Sequence, residues 1–482
     1  MRILLTYPPY PGRGTPMVSQ NRQFQWFSKG SHIYPVLLGY AHALLNRAGH
    51  ETLLLDAGLE RLGWLAYLER VLDFSPELIA IEVKTPVVPR AWWVVDQLKA
   101  MLPGCTIALL GDHIAALPEE SFAHCGVDVC VASGHYDLEL LNVCAWLGGA
   151  TPARGSWFLR HGDRIEAALR IPEGEERELD EVPFIDRRAT KAVLYGEKWR
   201  RTDRFFYMMA GRDCTWSRCT FCSWTSLFRP YKVFSPQRYL AELRHLVEHH
   251  GALEVFDDAG TFPTGPWLEE FASRYRAAKF PRSLALSGNM RMAQVDENLV
   301  RTLASCGFRK LKIGLESANQ ATLDRLDKGL QIGRFEHGLR LLAAAGIAVH
   351  LTVMVGYPWE GPAEVERTYH FVRRLMKAGL IEFLQATIVV PYPGTRMHAE
   401  ALERGWFAVD PNEYEAFDMT APVLRTLFPS PKEVHQACRN LYTLHFHPLF
   451  LARTALHFKR RGGAAFLLRG LQAMRGHVRD FS

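Results

Sequence analysis

The sequence predicts an α/β protein built from a doubly wound domain, an incomplete (β/α)6 barrel and a helical C-terminal extension. Three observations carry this. The first 150 residues alternate short apolar runs with helix-period stretches. The alternation lapses between 151 and 203 and returns from Arg204. Beyond about residue 405 no strand pattern recurs. Short continuous apolar runs between helices are the signature of strands buried on both faces of a parallel sheet.

In the first domain, 1–150, the runs are Arg2–Thr6, Thr52–Asp56, Leu78–Val83, Cys105–Leu110 and Val127–Ala132. Between the first two lies VLLGYAHALLNRAGH, where Leu37, Leu38, Ala41, Leu44 and Leu45 share one helical face and Gly49 suits a stop. In doubly wound sheets ligands bind beyond the carboxyl ends of the strands. The loops there are TYPPYPG, VKTPVVP, LGDHIA and ASGHYD.

Residues 151–203, rich in Arg, Glu, Gly and Pro, read as a linker with one small hairpin. From 204 to 405 the strand candidates are FFYMMA, LEVFDDA, LALSGN, KLKIGLES, AVHLTVMVG and FLQATIVV, most followed by a helical stretch. A closed eight-unit barrel needs about 250 residues. Six units in the shorter span predict a barrel open at one side. Residues 406–482 read as helical and basic.

The chain is 48% hydrophobic and 22% charged, with 482 residues and a net charge of +6. From Val434 onward eight Lys and Arg face one acid, Asp480, so this tail holds the excess and the main body is not a nucleic-acid binder. The opening MRILLTYPPYPGRG lacks the features of a signal peptide, and no stretch reaches membrane-span length. A cytoplasmic, reducing location is expected, where cysteines serve as thiols or metal ligands. The tail sets Phe466, Leu467, Leu468 and Leu471 against Arg469, Arg475 and Arg479. Such a segment can lie on an anionic membrane surface, cover the open barrel side, or be a solvated helix.

Three of the nine cysteines, Cys214, Cys219 and Cys222, fall in GRDCTWSRCTFCSW, just after the first barrel strand. Barrel enzymes place their chemistry on that face. Three thiolates can hold three corners of a 4Fe–4S cluster, which takes four ligands. One iron then stays open, as catalytic metal positions do. A structural zinc site would need a fourth Cys or His nearby, and the segment has none. Cys105, Cys125, Cys130, Cys144, Cys306 and Cys438 sit mostly in apolar patterns and read as core.

The loop resembles that of the radical S-adenosylmethionine (SAM) superfamily, whose common form is C-x3-C-x2-C with an aromatic before the last cysteine. Phe221 supplies the aromatic, and the first gap here is four residues. KLKIGLESANQATLDRLDKG, TVMVGYPWEGPAEVERT, VVPYPGTRMHAEALERGW and ELDEVPFIDR resemble further segments of the family. MRILLTYPP, LLGYAHALLNRAGHETLLLD and LLGDHIAALPEESF resemble the cobalamin-binding domain of one large subfamily. The resemblance implies a flavodoxin-like or Rossmann-type cobalamin-binding domain, a partial radical SAM barrel and a helical extension. It implies a 4Fe–4S cluster, SAM and cobalamin as cofactors.

By the same resemblance, Cys214, Cys219 and Cys222 ligate the cluster, and SAM chelates the fourth iron and yields a 5′-deoxyadenosyl radical. Phe221 packs near the adenine or anchors the loop. Glu316 accepts the ribose hydroxyls or is an acid favoured at a helix start. Arg291 pairs with the methionine carboxylate or forms a surface ion pair. Asp258 stands where relatives carry a Gly-Gly-Glu turn, without its Glu, as a candidate for the SAM amine. In the first domain Thr85, Gly111, His113 and Gly134 are candidate corrin contacts, with His113 a loop hydrogen-bonding residue more than a cobalt ligand. The Asp-x-His-x-x-Gly motif is absent, which implies cobalamin held without that histidine. The implied function is methylation of an unactivated carbon in a small-molecule, lipid or natural-product substrate, with an external donor of flavodoxin or ferredoxin type. Oxidative cyclisation or rearrangement stays open. So do a non-catalytic iron–sulfur and cobalamin protein, and a radical SAM enzyme whose first domain has lost cobalamin.

Overall fold

Two parallel sheets carry the two halves of the chain in a computed structural model. It describes residues 1–453 apart from 13, 20–23, 29, 172–176, 213 and 229, together with 472, 475, 476 and 479. In the first sheet, strands Glu51–Asp56, Arg2–Tyr7, Leu78–Glu82, Thr106–Leu110 and Val129–Val131 lie side by side in that order, all parallel. This is the flavodoxin-like 2-1-3-4-5 order. All five apolar runs form strands. Ile3, Leu4, Leu5 and Leu78–Ile81 are fully buried, as strands covered on both faces must be. Helix Val36–Arg47 stops just before Gly49, whose φ of +86° is a conformation side chains resist.

The hairpin in the 151–203 stretch continues this sheet. Trp157–His161 pairs antiparallel with Val129–Val131, and Arg164–Ala167 pairs with it in turn. The hairpin covers what would otherwise be an open edge at the fifth parallel strand, and Trp157 and Leu159 bury against the same core. Nor is the rest of the linker a spacer. Trp199 meets Phe205 and Phe256 edge-on at 5.5 and 5.4 Å, and Lys310 Nζ lies 3.2 Å from its ring centroid. One aromatic side chain thereby packs against the amino-terminal part of the barrel strands.

The second sheet has six parallel strands in sequence order, Phe205–Met208, Glu254–Asp257, Ala285–Met290, Phe308–Glu316, Ala348–Val355 and Phe383–Ile388. It is the open, partial barrel expected. Helix Pro431–Thr443 packs on the last strand. Tyr442 Oη donates to Ala386 O at 2.7 Å, and Leu384 N–H donates to His445 Nε2 at 3.3 Å. Burial pushes the His445 imidazole down to about 4, leaving it a neutral acceptor. Part of the C-terminal extension therefore covers the barrel's final strand. The amphipathic segment around Phe466–Leu471 lies outside the described residues. Among the described residues no helix is long and apolar enough to cross a membrane.

The two halves meet through buried charge. Arg212 donates from Nη1 and Nη2 to the two oxygens of Asp137, at 2.6 and 2.5 Å, with both side chains fully buried. Asp137 is the second residue of the last helix of the first domain, Tyr136–Leu147, and Arg212 stands two residues before Cys214. Around them Gly134 N–H donates to Leu227 O at 2.8 Å, and His135 Nε2 lies 3.0 Å from Pro230 O. Elsewhere Tyr40 donates to Glu242, which also receives Arg187 and Arg238. Arg212→Met, which strands the Asp137 carboxylate, is expected to cost about 3–5 kcal/mol. The paired change Arg212→Met/Asp137→Leu should recover most of that loss. Equilibrium urea unfolding of the three proteins measures both.

Candidate functional site

The cluster-loop candidate is tied off at its base. Gly211–Arg212 pairs antiparallel with Lys232–Val233, so the segment that holds the cysteines leaves and returns at one short ribbon. A second chain segment, Leu326–Gly329, pins that segment. Thr220 N–H donates to Leu326 O at 3.0 Å, and Trp216 Nε1 donates to Asp327 O at 2.6 Å. Arg291 stacks over the Trp216 ring at 4.1 Å and donates to Lys328 O at 2.9 Å.

Cys214, Cys219 and Cys222 line one cavity of about 150 Å³, together with Phe221, Arg291, Glu316, Lys312, Lys328, Tyr392 and Met419. Among the described residues no three His, Cys, Asp or Glu side chains group tightly enough for a single metal ion. A cuboidal cluster takes its thiolates at separate corners instead. Burial pushes the Cys219 thiol up, and Lys328 pulls against that shift. The donor set is therefore three thiols beside cationic side chains, which fits a cluster with three protein ligands.

Glu316 and Lys328 form the cavity's central pair. Lys328 Nζ donates to Glu316 Oε1 at 2.6 Å. Burial works against the ammonium charge, yet Glu316 and the cysteines hold it above the ordinary lysine value. Glu316 has φ of +66°, rare for a side-chain-bearing residue. Pairing with the next strand shifts register between Gly314 and Glu316. Such bulges re-aim a side chain at the end of a strand. Gly314 makes the room: a Cβ there would lie 2.1 Å from Glu316 Oε1 and 2.7 Å from Lys328 Nζ.

The structure thus brings together Cys214, Cys219, Cys222, Phe221, Arg291 and Glu316. It sets Asp258 apart, since Gly260 is the member of that turn on the cavity wall. Asp257 does something sequence reasoning missed. Its carboxylate accepts Ala210 N–H at 2.7 Å and Ala259 N–H at 3.1 Å, fixing the backbone just ahead of the cysteine loop. Lys312, Lys328, Tyr392 and Met419 were missed too. Strand alternation from Glu316 back through Gly314 could have found Lys312, but no spacing rule reaches the others.

In the first domain the four candidates are held by protein. Gly111 has φ of +112°, and a Cβ there would lie 2.3 Å from Val83 O. A Cβ on Gly134 would strike Phe228 and Leu227 at 2.7 and 2.8 Å. His113 Nδ1 lies 3.3 Å from Thr85 Oγ1, and Nε2 lies 3.1 Å from Glu120 Oε2. Tyr414 donates to Glu120 at 2.8 Å and meets the His113 ring edge-on at 4.7 Å. With both ring nitrogens engaged, His113 is a loop-organising residue. A second cavity, about 360 Å³, opens at the carboxyl ends of the first two strands, between Tyr7–Tyr10 and Asp56–Gly58. Tyr10 Oη is buried there without a hydrogen-bond partner.

Residues 209–372 match the family model of the Radical SAM superfamily. This central part of the chain is a Radical SAM domain by that match. The match begins at the end of the first barrel strand and takes in the cysteine loop and the Glu316–Lys328 pair. An uncharacterized methyltransferase of Pyrococcus horikoshii is 22% identical over 487 residues, spanning 100% of this chain and 99% of the relative. The anaerobic magnesium-protoporphyrin IX monomethyl ester cyclase of Cereibacter sphaeroides is 21% identical, over 96% of this chain and 72% of its own length. The radical SAM methyltransferase TsrM of Kitasatospora setae, solved with cobalamin and a [4Fe–4S] cluster bound, superimposes with a TM-score of 0.70 at 18% identity, covering 100% of this chain and 99% of that one. The two-domain fold is therefore shared along the whole length.

Asp257 supplies a pH test of this partial barrel. Burial raises its carboxyl to about 7. Between the ordinary value near 4 and 7 the folded state holds a proton that the unfolded state releases, so stability falls as pH rises through that window. Asp257→Asn is expected to flatten this slope between pH 4 and 7, measured as urea midpoints across the range.

Proposed function

We propose that this chain is a cobalamin-dependent radical SAM methyltransferase that acts on an unactivated carbon of a small-molecule substrate. The observation that carries the proposal is the cavity in which three cysteines, and no fourth thiol or imidazole among the lining residues, stand beside Glu316, Lys328 and Arg291. Cys214, Cys219 and Cys222 would hold the cluster. Arg291, a planar guanidinium suited to two-pronged contact, would receive the SAM carboxylate. Glu316 would present the oxygen not used by Lys328 to the ribose hydroxyls, with Phe221 near the adenine. When bound, cluster and SAM supply the radical chemistry and cobalamin supplies the methyl-carrying metal. The chain's own work is to hold these groups in register and keep water out. Met354, Val390, Tyr392 and Met419 wall the cavity with mostly apolar surface for that purpose.

The first domain fits a cobalamin held without an imidazole ligand. His113 is committed to Thr85 and Glu120, while the cavity at the strand ends and the unpartnered Tyr10 hydroxyl offer a cradle where doubly wound sheets take ligands. The whole-length match to a methyltransferase supports methylation, and the match to a cyclase supports a second reading in which the same site performs oxidative ring closure.

Anaerobic reconstitution with iron, sulfide, hydroxocobalamin and SAM tests the proposal. The expected outcome is a cluster absorption band lost in Cys219→Ala, a corrinoid spectrum that persists in that variant, and 5′-deoxyadenosine formed with a low-potential reductant. S-adenosylhomocysteine accompanying product marks methylation; its absence, with 5′-deoxyadenosine still formed, marks the cyclase reading. A protein that binds zinc and no cluster overturns both.

A further inference from the structure

The helix between the first two barrel strands, Pro236–His250, ends in three histidines that have no part in the cysteine cavity: His245, His249 and His250. His245 and His249 stand four residues apart, so their side chains leave the same face of the helix one turn from each other. Their ring centroids are 4.6 Å apart, and the His250 ring lies 5.4 Å from that of His245. Phe184 of the linker packs against His245 at 5.2 Å, and Phe206 of the first barrel strand packs against His250 at 5.8 Å. These aromatic walls restrict how the two rings turn. His249 is exposed and His245 only partly buried, so an ion meets the pair from solvent. Among the described residues none of the three rings has a hydrogen-bond partner, whereas both nitrogens of His113 are engaged. The chain turns at Gly251, φ of +62°, and enters strand Glu254–Asp257, so the histidines lie at the amino ends of the barrel strands. The cysteine loop lies beyond the opposite ends. A helix of 15 residues separates the two by about 22 Å of its own length.

We propose that His245 and His249 form a binding site for one divalent transition-metal ion, separate from the cysteine cavity, with water in the ion's remaining positions. Two imidazoles one helical turn apart are the arrangement by which zinc enzymes draw two ligands from a single helix. Imidazole nitrogen suits zinc, nickel and copper, whereas magnesium and calcium take oxygen ligands. Among the described residues no three His, Cys, Asp or Glu side chains group tightly enough for one ion, so this is a two-ligand site open to solvent. The surroundings favour a cation. The C-terminus of a helix carries the negative end of its dipole. The nearby charges pair off, Arg187 with Glu242 and Arg244 with Glu248, and Asp186 stands against Arg188. Each ring gives one nitrogen lone pair to the ion and displaces one water from it. No electron is transferred.

The test is anaerobic calorimetric titration of Zn2+ into reconstituted full-length protein, whose cysteines the cluster then occupies, and into His245→Asn/His249→Asn protein prepared the same way. Should no cluster form, the same titration after alkylation of the cysteines keeps this inference separate from the cluster reading. One Zn2+ per chain is expected to bind the unaltered protein. Its affinity should fall about tenfold or more in the double variant, since losing even a group that orients a metal ligand costs that much. His249→Gln alone, at an exposed helix end where the change does not threaten folding, should shift affinity in the same direction. Mg2+ should give no heat at the pair. Equal Zn2+ affinity in the unaltered and double-variant proteins overturns the proposal, and so does a complete lack of Zn2+ binding. Binding that is lost in Cys219→Ala and kept in the double variant also overturns it, because the ion is then at the cysteines. Mg2+ held as tightly as Zn2+ does the same, because it marks a carboxylate site.

Discussion

The Arg212–Asp137 pair is the constraint on which the arrangement turns. Two fully buried charges are costly to desolvate and are tolerated only with matched geometry. Here both guanidinium prongs meet both carboxylate oxygens. That geometry allows one relative placement of the two domains, because sliding either surface by an ångström or two would strand a charge. Arg212 is also the last residue of the ribbon that closes the base of the cysteine loop. The contact that registers the domains thus registers the loop, and the ASGHYD turn acts on the barrel side through Gly134, His135 and Asp137.

The cavity is organised by the same economy of charge. Glu316 is turned inward by a register shift, room for its carboxylate is kept by Gly314, and Lys328 compensates it. Lys328 comes from the segment that pins the cysteine loop, through Leu326 and Asp327. Loop position and cavity charge are therefore coupled: moving one moves the other. The unusual backbone at Glu316 and at Met419, φ of +62°, falls on the cavity wall. Strained conformations of this kind persist where the surrounding structure over-determines them, commonly at functional sites.

Much of this was legible because it is local. Apolar runs and helix periodicity placed eleven strands, five in the first sheet and six in the second. The cysteine spacing and the Gly-Leu-Glu-Ser stretch located Cys214, Cys219, Cys222 and Glu316. The linker of 151–203 reads as holding one small hairpin, but its place at 157–167 and its attachment to the first sheet depend on an edge some 30 residues earlier. Asp258 is a candidate by its place in a turn the family resemblance singles out, while Asp257 beside it holds the backbone of Ala210 and Ala259, because a one-residue step in a turn changes where a side chain points. His113 and Thr85 were grouped by their loops, and their bond to each other follows from the sheet order that sets those loops side by side.

The sequence by itself determined the two-domain α/β architecture, the three-thiol donor set and the resemblance of the barrel to the radical SAM domain, because each is written in short-range spacing. Tertiary structure alone decided which polar groups meet: Lys328 and Glu316, Arg212 and Asp137, Tyr414 and His113 with Glu120. These partners stand 12, 75, 294 and 7 residues apart. Most of them have no common period, and only the packed sheets, with water removed between them, make a charge choose its partner.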